Sequence, residues 1–265
     1  MVVIVLNWAL PVAAAELWCR AGVRICADGG ANRLAKLLPG AFEPRRAPGA
    51  ASSSGPASDP QPPLPTAVVG DFDSIEPTLL ERVQALGVPT HCLAHDQDST
   101  DLEKCLREAR SILRRRRGGV AAEAESDGPV GERSPATAPP AVRPLVVAVG
   151  ALGGRLDHTL GCLSTMHASR DLDLVLIGEG NAARLVPRGS ARIVPDLEHE
   201  GPGCCFAALD GPATATSTGL AWELHDRLLK TGVLVSGSNE ITGTEVTIRT
   251  DNDLVWITRL KGDWE

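Results

Sequence analysis

The sequence predicts an α/β protein: a Rossmann-like parallel sheet with helices on both faces over residues 1–179, then a smaller antiparallel β-sandwich over 180–265. Three observations predict it. Up to about residue 179, short apolar runs such as Val2–Leu6, Val23–Ala27, Ala67–Val69 and Leu145–Val149 alternate with amphipathic helical stretches. Runs that are apolar on both sides suit a parallel sheet covered on both faces. Several of these runs end in glycine turns that carry Asp, Asn or Arg, which is where open α/β sheets place their ligands. After Gly180 the pattern becomes short β-rich segments divided by turn residues such as Asp251-Asn252-Asp253, as in a small sandwich or partial barrel.

Composition narrows the function. The 265 residues are 43% hydrophobic and 22% charged, ordinary for a globular protein. With three Phe, five Trp and no Tyr, the core must rest on Leu, Val, Ile and Ala. A net charge of −7 argues against a general nucleic-acid binder, which needs a basic face. Seven cysteines without a Cys-x-x-Cys pair suggest reduced thiols and a cytoplasmic protein. Met1–Ala15 is apolar and ends in three alanines, but it has no basic start and is interrupted by Asn7 and Pro11, so it reads as a first strand and not as a signal peptide. No run approaches the ~18 apolar residues of a membrane span.

In order, strand one is followed by a helix from Val12 to Ala21, with Pro11 at its start and Gly22 ending it. Strand Val23–Ala27 runs into Asp28-Gly29-Gly30-Ala31-Asn32 and a helix through Leu38. Strand, glycine turn and helix N-terminus together make an anion site, although a tight turn alone would explain the glycines. Residues 43–65 are rich in Pro, Ala, Ser and Gly and read as a loosely held insertion, as do 118–144. Strand Ala67–Gly70 leads into Asp71-Phe72-Asp73-Ser74, then a helix near Thr78–Leu86 with Pro77 suited to its first position. The two carboxylates could hold a hard cation such as magnesium; a polar loop with helix-capping acids is the other reading. A short strand at Thr90–Ala94 precedes Asp96-Gln97-Asp98-Ser99-Thr100-Asp101 and a helix. Thr100 and Glu103 have capping-box spacing, so Thr100 is the expected N-cap. Three acids exceed what a cap needs. Arg114–Arg117 complements the dipole at that helix's C-terminus.

Strand Leu145–Val149 runs into Gly150-Ala151-Leu152-Gly153-Gly154-Arg155-Leu156-Asp157-His158 and a helix through His167. Arg155 on this turn suits a phosphate oxygen, and Asp157 is a helix N-cap, a functional acid, or both. Leu172–Ile177 is the next strand. Beyond Gly180, strands are expected at 183–186, 191–194, 204–209, 232–235, 245–250 and 254–260, with helical signal near 224–229.

Six motifs then occur in order: CADGGAN (Cys26–Asn32), GDFDSI (Gly70–Ile75), DQDSTDLEKCL (Asp96–Leu106), GGRLDH (Gly153–His158), TGLAWEL (Thr218–Leu224) and LVSGSNE (Leu234–Glu240). Together they resemble thiamine pyrophosphokinases of the eukaryotic type, over the whole chain except the two insertions. The resemblance implies transfer of the β,γ-pyrophosphoryl unit of ATP to the hydroxyl of thiamine, giving thiamine diphosphate and AMP, with Mg2+ required. It implies metal-holding acids at Asp71, Asp73 and Asp101, with Asp98 close by and Arg155 completing the catalytic set. It implies nucleotide contacts from Asp28, Gly29, Gly30, Asn32, Gln97, Thr100, Arg155 and Asp157. It further implies a homodimer that binds thiamine across its interface, with Trp222, Ser236, Ser238 and Asn239 in contact with the vitamin. An indole suits a cationic aromatic ligand, although core packing in an aromatic-poor protein would also account for Trp222. Two rivals differ in class. A haloacid-dehalogenase-like phosphohydrolase also uses Asp-x-Asp after a strand, but needs a downstream Lys and further acids that GGRLDH does not supply. A non-catalytic thiamine or nucleotide sensor would have no need of so many repelling carboxylates.

Overall fold

Strand order explains how the chain sets out its polar loops. The computed structural model describes residues 1–44, 61–124 and 142–264, excepting the side chains of 118–124; most of both expected insertions lies outside these residues. Five parallel strands come first: β1 (Val2–Val5), β2 (Val23–Ala27), β3 (Ala67–Gly70), β4 (Thr90–Cys92) and β5 (Leu145–Val149). β6 (Asp173–Gly178) also runs parallel, and β7 (Asn181–Val186) then turns back antiparallel on it. Its two-residue loop, Glu179-Gly180, has both φ angles positive (43° and 68°), the geometry of a tight hairpin turn that matches strand twist. The sheet therefore continues across residue 180. With β9 (Glu200–Ala207), β12 (Ser236–Glu240) and β14 (Leu254–Leu260), its order is β12-β9-β14-β7-β6-β5-β1-β2-β3-β4.

Alternation along β1 shows why both faces are apolar. Val2, Ile4 and Leu6 face α4 (Asp101–Ala124) and α5 (Leu156–Ala168), burying Leu102, Leu106, Ala109 and Met166. Val3 and Val5 face α1 (Ala14–Arg20), α2 (Gly30–Leu37) and α3 (Pro77–Ala85), where Trp18, Leu34, Leu79 and Val83 lie. Burying each large side chain contributes roughly 1.5–3 kcal/mol. The end of the first insertion joins this core: Leu64 packs against it, and the Pro63 carbonyl accepts the Trp18 indole N–H at 2.9 Å. α4 likewise extends into the first residues of the second.

A second sheet, β11-β10-β13-β8, is built from β8 (Gly189–Ile193), β10 (Ala213–Thr218), β11 (Arg227–Leu229) and β13 (Val246–Thr250). It packs its Ala213, Ala215, Leu229, Val246 and Ile248 onto Phe206, Leu254 and Trp256 of the large sheet. The sandwich thus borrows one layer from the antiparallel end of the ten-stranded sheet. Two expected elements differ. Residues 224–229 are not helical: the Leu224 carbonyl accepts from the Ser217 amide while its own amide donates to Ser217 Oγ, Asp226 takes φ 45°, and β11 pairs with β10. Residues 232–235 form a turn closed by the Lys230–Leu234 bridge, and the strand begins at Ser236.

Candidate active site

The carboxyl ends of β2 and β3 converge on one acidic cluster. Phe72 takes a left-handed backbone (φ 66°), sparsely populated for a non-glycine residue, and packs its ring against the core. Asp71 and Asp73 stand on either side of it. Their carboxylates and that of Asp28 lie within 4.8 Å of one another. Asp28 is buried, 2% exposed, and accepts hydrogen bonds from the Ser74 and Ile75 amides at 3.1 Å each. Burial, then the neighbouring Asp73, pushes the Asp28 carboxyl up to about 6. Asp73 is held low by the Ser74 hydroxyl (2.7 Å) and by Asp28, so it stays ionised. Asn32 joins the same loop: its Nδ2 donates to the Ser74 carbonyl (2.8 Å) and its Oδ1 accepts from the Glu76 amide (3.0 Å). Asp28 and Asn32 therefore hold the loop that presents Asp71 and Asp73. Gly30 is required by space, since a Cβ there would sit 2.2 Å from the Val5 carbonyl oxygen.

A cleft of about 310 Å³ opens beside the cluster, lined by Asp71, Gln97, Thr100, Asp101, Lys104, Arg155 and Asp157 among others. Asp101 begins α4, and the capping box forms as expected: the Thr100 amide donates to Glu103 Oε2 (2.8 Å) and the Glu103 amide donates to Thr100 Oγ1 (3.3 Å). Burial raises the Asp101 carboxyl, and the Asp71 and Asp73 charges add to that. Gln97 donates to the Ala94 carbonyl at 2.7 Å. Asp98 is exposed and does not line the cleft. Asp96 instead latches its loop, accepting from the Ser99 amide and hydroxyl and pairing with Arg107. Arg155 is the capping residue of α5 and pairs with Asp157 (2.5 and 3.1 Å), which lies in the first turn and is not the N-cap.

Lys104 was not singled out by the sequence reading. It is 4% exposed, with Nζ 3.9 Å from Asp101. A signal existed: a lysine in the first turn of a helix opposes the dipole, so it needs another reason to be there.

The second cleft, about 470 Å³, lies in the sandwich and is lined by Trp222, His225, Arg227 and residues 234–239 among others. Trp222 is 60% exposed, so it is not a core residue. Asn239 is buried and holds the tryptophan's backbone: its Oδ1 accepts from the Trp222 amide (3.1 Å) and its Nδ2 donates to the Trp222 carbonyl (2.8 Å) and to Ser236 Oγ (3.2 Å). Ser238 has φ 56° and an exposed side chain at the rim.

Comparison with known families places each cleft within a matched domain. Residues 14–176 match the thiamin pyrophosphokinase catalytic domain, and residues 190–255 match the thiamin pyrophosphokinase vitamin B1 binding domain. The chain belongs to the thiamin pyrophosphokinase family. Thiamine pyrophosphokinase 1 of Oryza sativa subsp. japonica is 33% identical over 265 residues, covering 98% of this chain and 87% of that protein. Thiamine pyrophosphokinase 1 of Arabidopsis thaliana is 32% identical, covering 97% and 85%. The fold is shared with the solved yeast thiamin pyrophosphokinase (TM-score 0.72, 18% identity, 99% and 87% covered). It is also shared with that from Candida albicans (TM-score 0.71, 18% identity, 98% and 90% covered). Both domain matches of the thiamin pyrophosphokinase family contain a cleft described above, the acidic one in the first and the tryptophan-lined one in the second. None of these matches supports a phosphohydrolase or a sensor.

Proposed function

We propose that this chain is a thiamine diphosphokinase that transfers the pyrophosphoryl group of ATP to thiamine in a homodimer, at sites shared between its two chains. The carrying observation is the separation of the two clefts. From β12, which borders the tryptophan cleft, to β3, which carries the acids, there are eight strand spacings in the sheet order, roughly 38 Å at ~4.8 Å each. That separation within one chain supports a reading in which a second copy supplies Trp222 to the acids. Residues 1–179 would hold nucleotide and metal, and 180–265 thiamine.

In the reaction, the thiamine hydroxyl oxygen bonds to the β-phosphorus of ATP, the bond from that phosphorus to the α,β-bridging oxygen breaks, and AMP leaves. The hydroxyl proton is released. Phosphoryl-type transfer depends on positioning and charge stabilisation. Asp71, Asp73 and Asp101 would hold magnesium, with Asp28 alongside; an all-oxygen carboxylate set suits a hard cation, and the carboxylates of Asp28, Asp71 and Asp73, within 4.8 Å of one another, are a crowding of acids that a cation relieves. Bound there, magnesium would neutralise phosphate oxygens. Arg155 and Lys104 add cations on the cleft wall, and Gln97, Thr100 and Asp157 line the nucleotide path. Trp222 would stack on the cationic vitamin, with the buried Ser236 in the cleft wall, Ser238 at the rim and Asn239 fixing the loop. All seven cysteines are free, which fits a reducing, cytoplasmic setting. Among the described residues, no helix is long and apolar enough to cross a membrane.

Release of AMP from ATP with and without thiamine tests the proposal. Thiamine-dependent AMP, one per thiamine diphosphate, is expected. Inorganic phosphate with an aspartyl-phosphate on Asp71 would establish a hydrolase, and ligand binding without turnover would establish a sensor.

A further inference from the structure

β1 is the central strand of the parallel region, with β2, β3 and β4 to one side and β5 and β6 to the other. The direction of strand addition reverses between β1 and β5, and open α/β sheets bind ligands in the crevice at that point. Here the crevice is occupied by the two residues that follow Leu6. Asn7 leans one way: its Oδ1 accepts from Arg33 Nε at 3.1 Å, and a Cβ on Gly29 would fall 2.4 Å from its Nδ2. Trp8 leans the other way. A Cβ on Gly154 would fall 2.1 to 2.4 Å from three atoms of its indole ring. Its Nε1 donates to Glu179 Oε1 at 2.7 Å, and the carboxyl carbon of Glu179 would meet a Cβ on Gly153 at 2.3 Å. Thr159 pins the same turn, its Oγ1 accepting from the Gly153 amide at 3.1 Å. Arg155, the next residue, has an exposed side chain whose guanidinium pairs with Asp157, so its direction is set by this backbone together with that pair.

We infer that Trp8 and Glu179 are positioning residues for the nucleotide: the indole packs flush against Gly154 and, held by Glu179, fixes the Gly153-Gly154 backbone that carries Arg155 into the acidic cleft. The inference rests on the functional reading above, in which that cleft takes ATP. A ring against Gly154 leaves no room for a side chain there, and loss of the ring leaves the turn free to shift. A misaimed arginine weakens nucleotide binding and leaves the thiamine cleft, some strands away, untouched.

The test uses the full chain with magnesium chloride. KM values for ATP and thiamine are measured, together with equilibrium binding of a non-hydrolysable ATP analogue. Trp8→Ala is expected to raise the ATP KM and weaken the analogue at least tenfold, with the thiamine KM within twofold. Trp8→Phe, which keeps a ring but loses the donor, and Glu179→Gln should fall between wild type and Trp8→Ala. Gly154→Ala should show the same selective loss, and adding Trp8→Ala to it should recover part of the binding by clearing the space. Unchanged analogue affinity in Trp8→Ala, or a thiamine KM that moves as far as that for ATP, overturns the inference. Should Trp8→Ala not fold, wild-type affinity in both Trp8→Phe and Glu179→Gln overturns it equally. If the unmutated protein binds the analogue but makes no thiamine diphosphate, the functional reading fails, and the binding series still decides the role of Trp8.

Discussion

At the scale of residues, the acidic cluster has two kinds of member. Asp71 and Asp73 project from the left-handed turn at Phe72, whereas Asp28 is buried and bonded to the loop's amides. Replacing Asp71 or Asp73 with Asn should therefore lower turnover by orders of magnitude and leave the fold intact. Melting temperature without metal should hold or rise, because a repelling charge is gone. Near-normal turnover in either variant would contradict the proposed metal site. Asp28 also gives a pH dependence with a definite sign. Its folded pKa, about 6, lies above the ordinary 3.8, so between those values the folded state holds a proton that the unfolded chain has lost. The contribution of this group to the stability of the metal-free protein should then fall as pH rises from about 4 to about 6, with the lowered carboxyl of its partner Asp73 opposing it in part. The raised Asp101 carboxyl acts in the same direction as Asp28. Thermal melts in EDTA across that range check it, and the slope should flatten in Asp73→Asn, where one cause of the Asp28 shift is removed.

At the scale of elements, the parallel half was legible because its signals are local. Apolar runs, glycine turns and the Thr100–Glu103 capping box each specify structure over a few residues, and each appears where the sequence puts it. The sandwich was less legible because its strands are set by partners distant in sequence. β10 reads ATATST, too small and polar to announce itself, yet it is central to its sheet between β11 and β13. Leu224, Leu228 and Leu229 have helical spacing, but the amide and hydroxyl of Ser217 take the carbonyl and amide of Leu224. The site motifs were legible as sites; which members hold a loop and which face a cleft was not. Asn239 shows this. The sequence marks it as a thiamine contact, and the structure gives its amide to the backbone of Trp222. Asn239→Ala should cost about 1–3 kcal/mol of stability, since it leaves buried groups unpaired, and should raise the thiamine KM while the ATP KM stays put. Steady-state kinetics with each substrate varied would show it, and an equal change in both constants would contradict the latch.

At the scale of the whole molecule, the continuous ten-stranded sheet sets the two clefts many strands apart in one chain. The hairpin at Glu179-Gly180 adds the antiparallel strands to one end of the sheet, while β2 and β3 carry the acids toward the other. Removing the indole in Trp222→Ala should weaken thiamine binding by roughly 1–3 kcal/mol, through lost stacking and cation–π attraction, with ATP binding unchanged. The direct measurement of the proposed shared site is complementation. Asp73→Asn chains, which keep the tryptophan, are mixed with Trp222→Ala chains, which keep the acids, and thiamine diphosphate formation is followed at low thiamine as subunits exchange. In a mixed dimer one of the two sites combines intact acids with an intact tryptophan, so activity well above that of either variant alone is predicted. If exchange is verified by differently tagged chains and no activity returns, each chain carries its own site and the shared-site account is wrong.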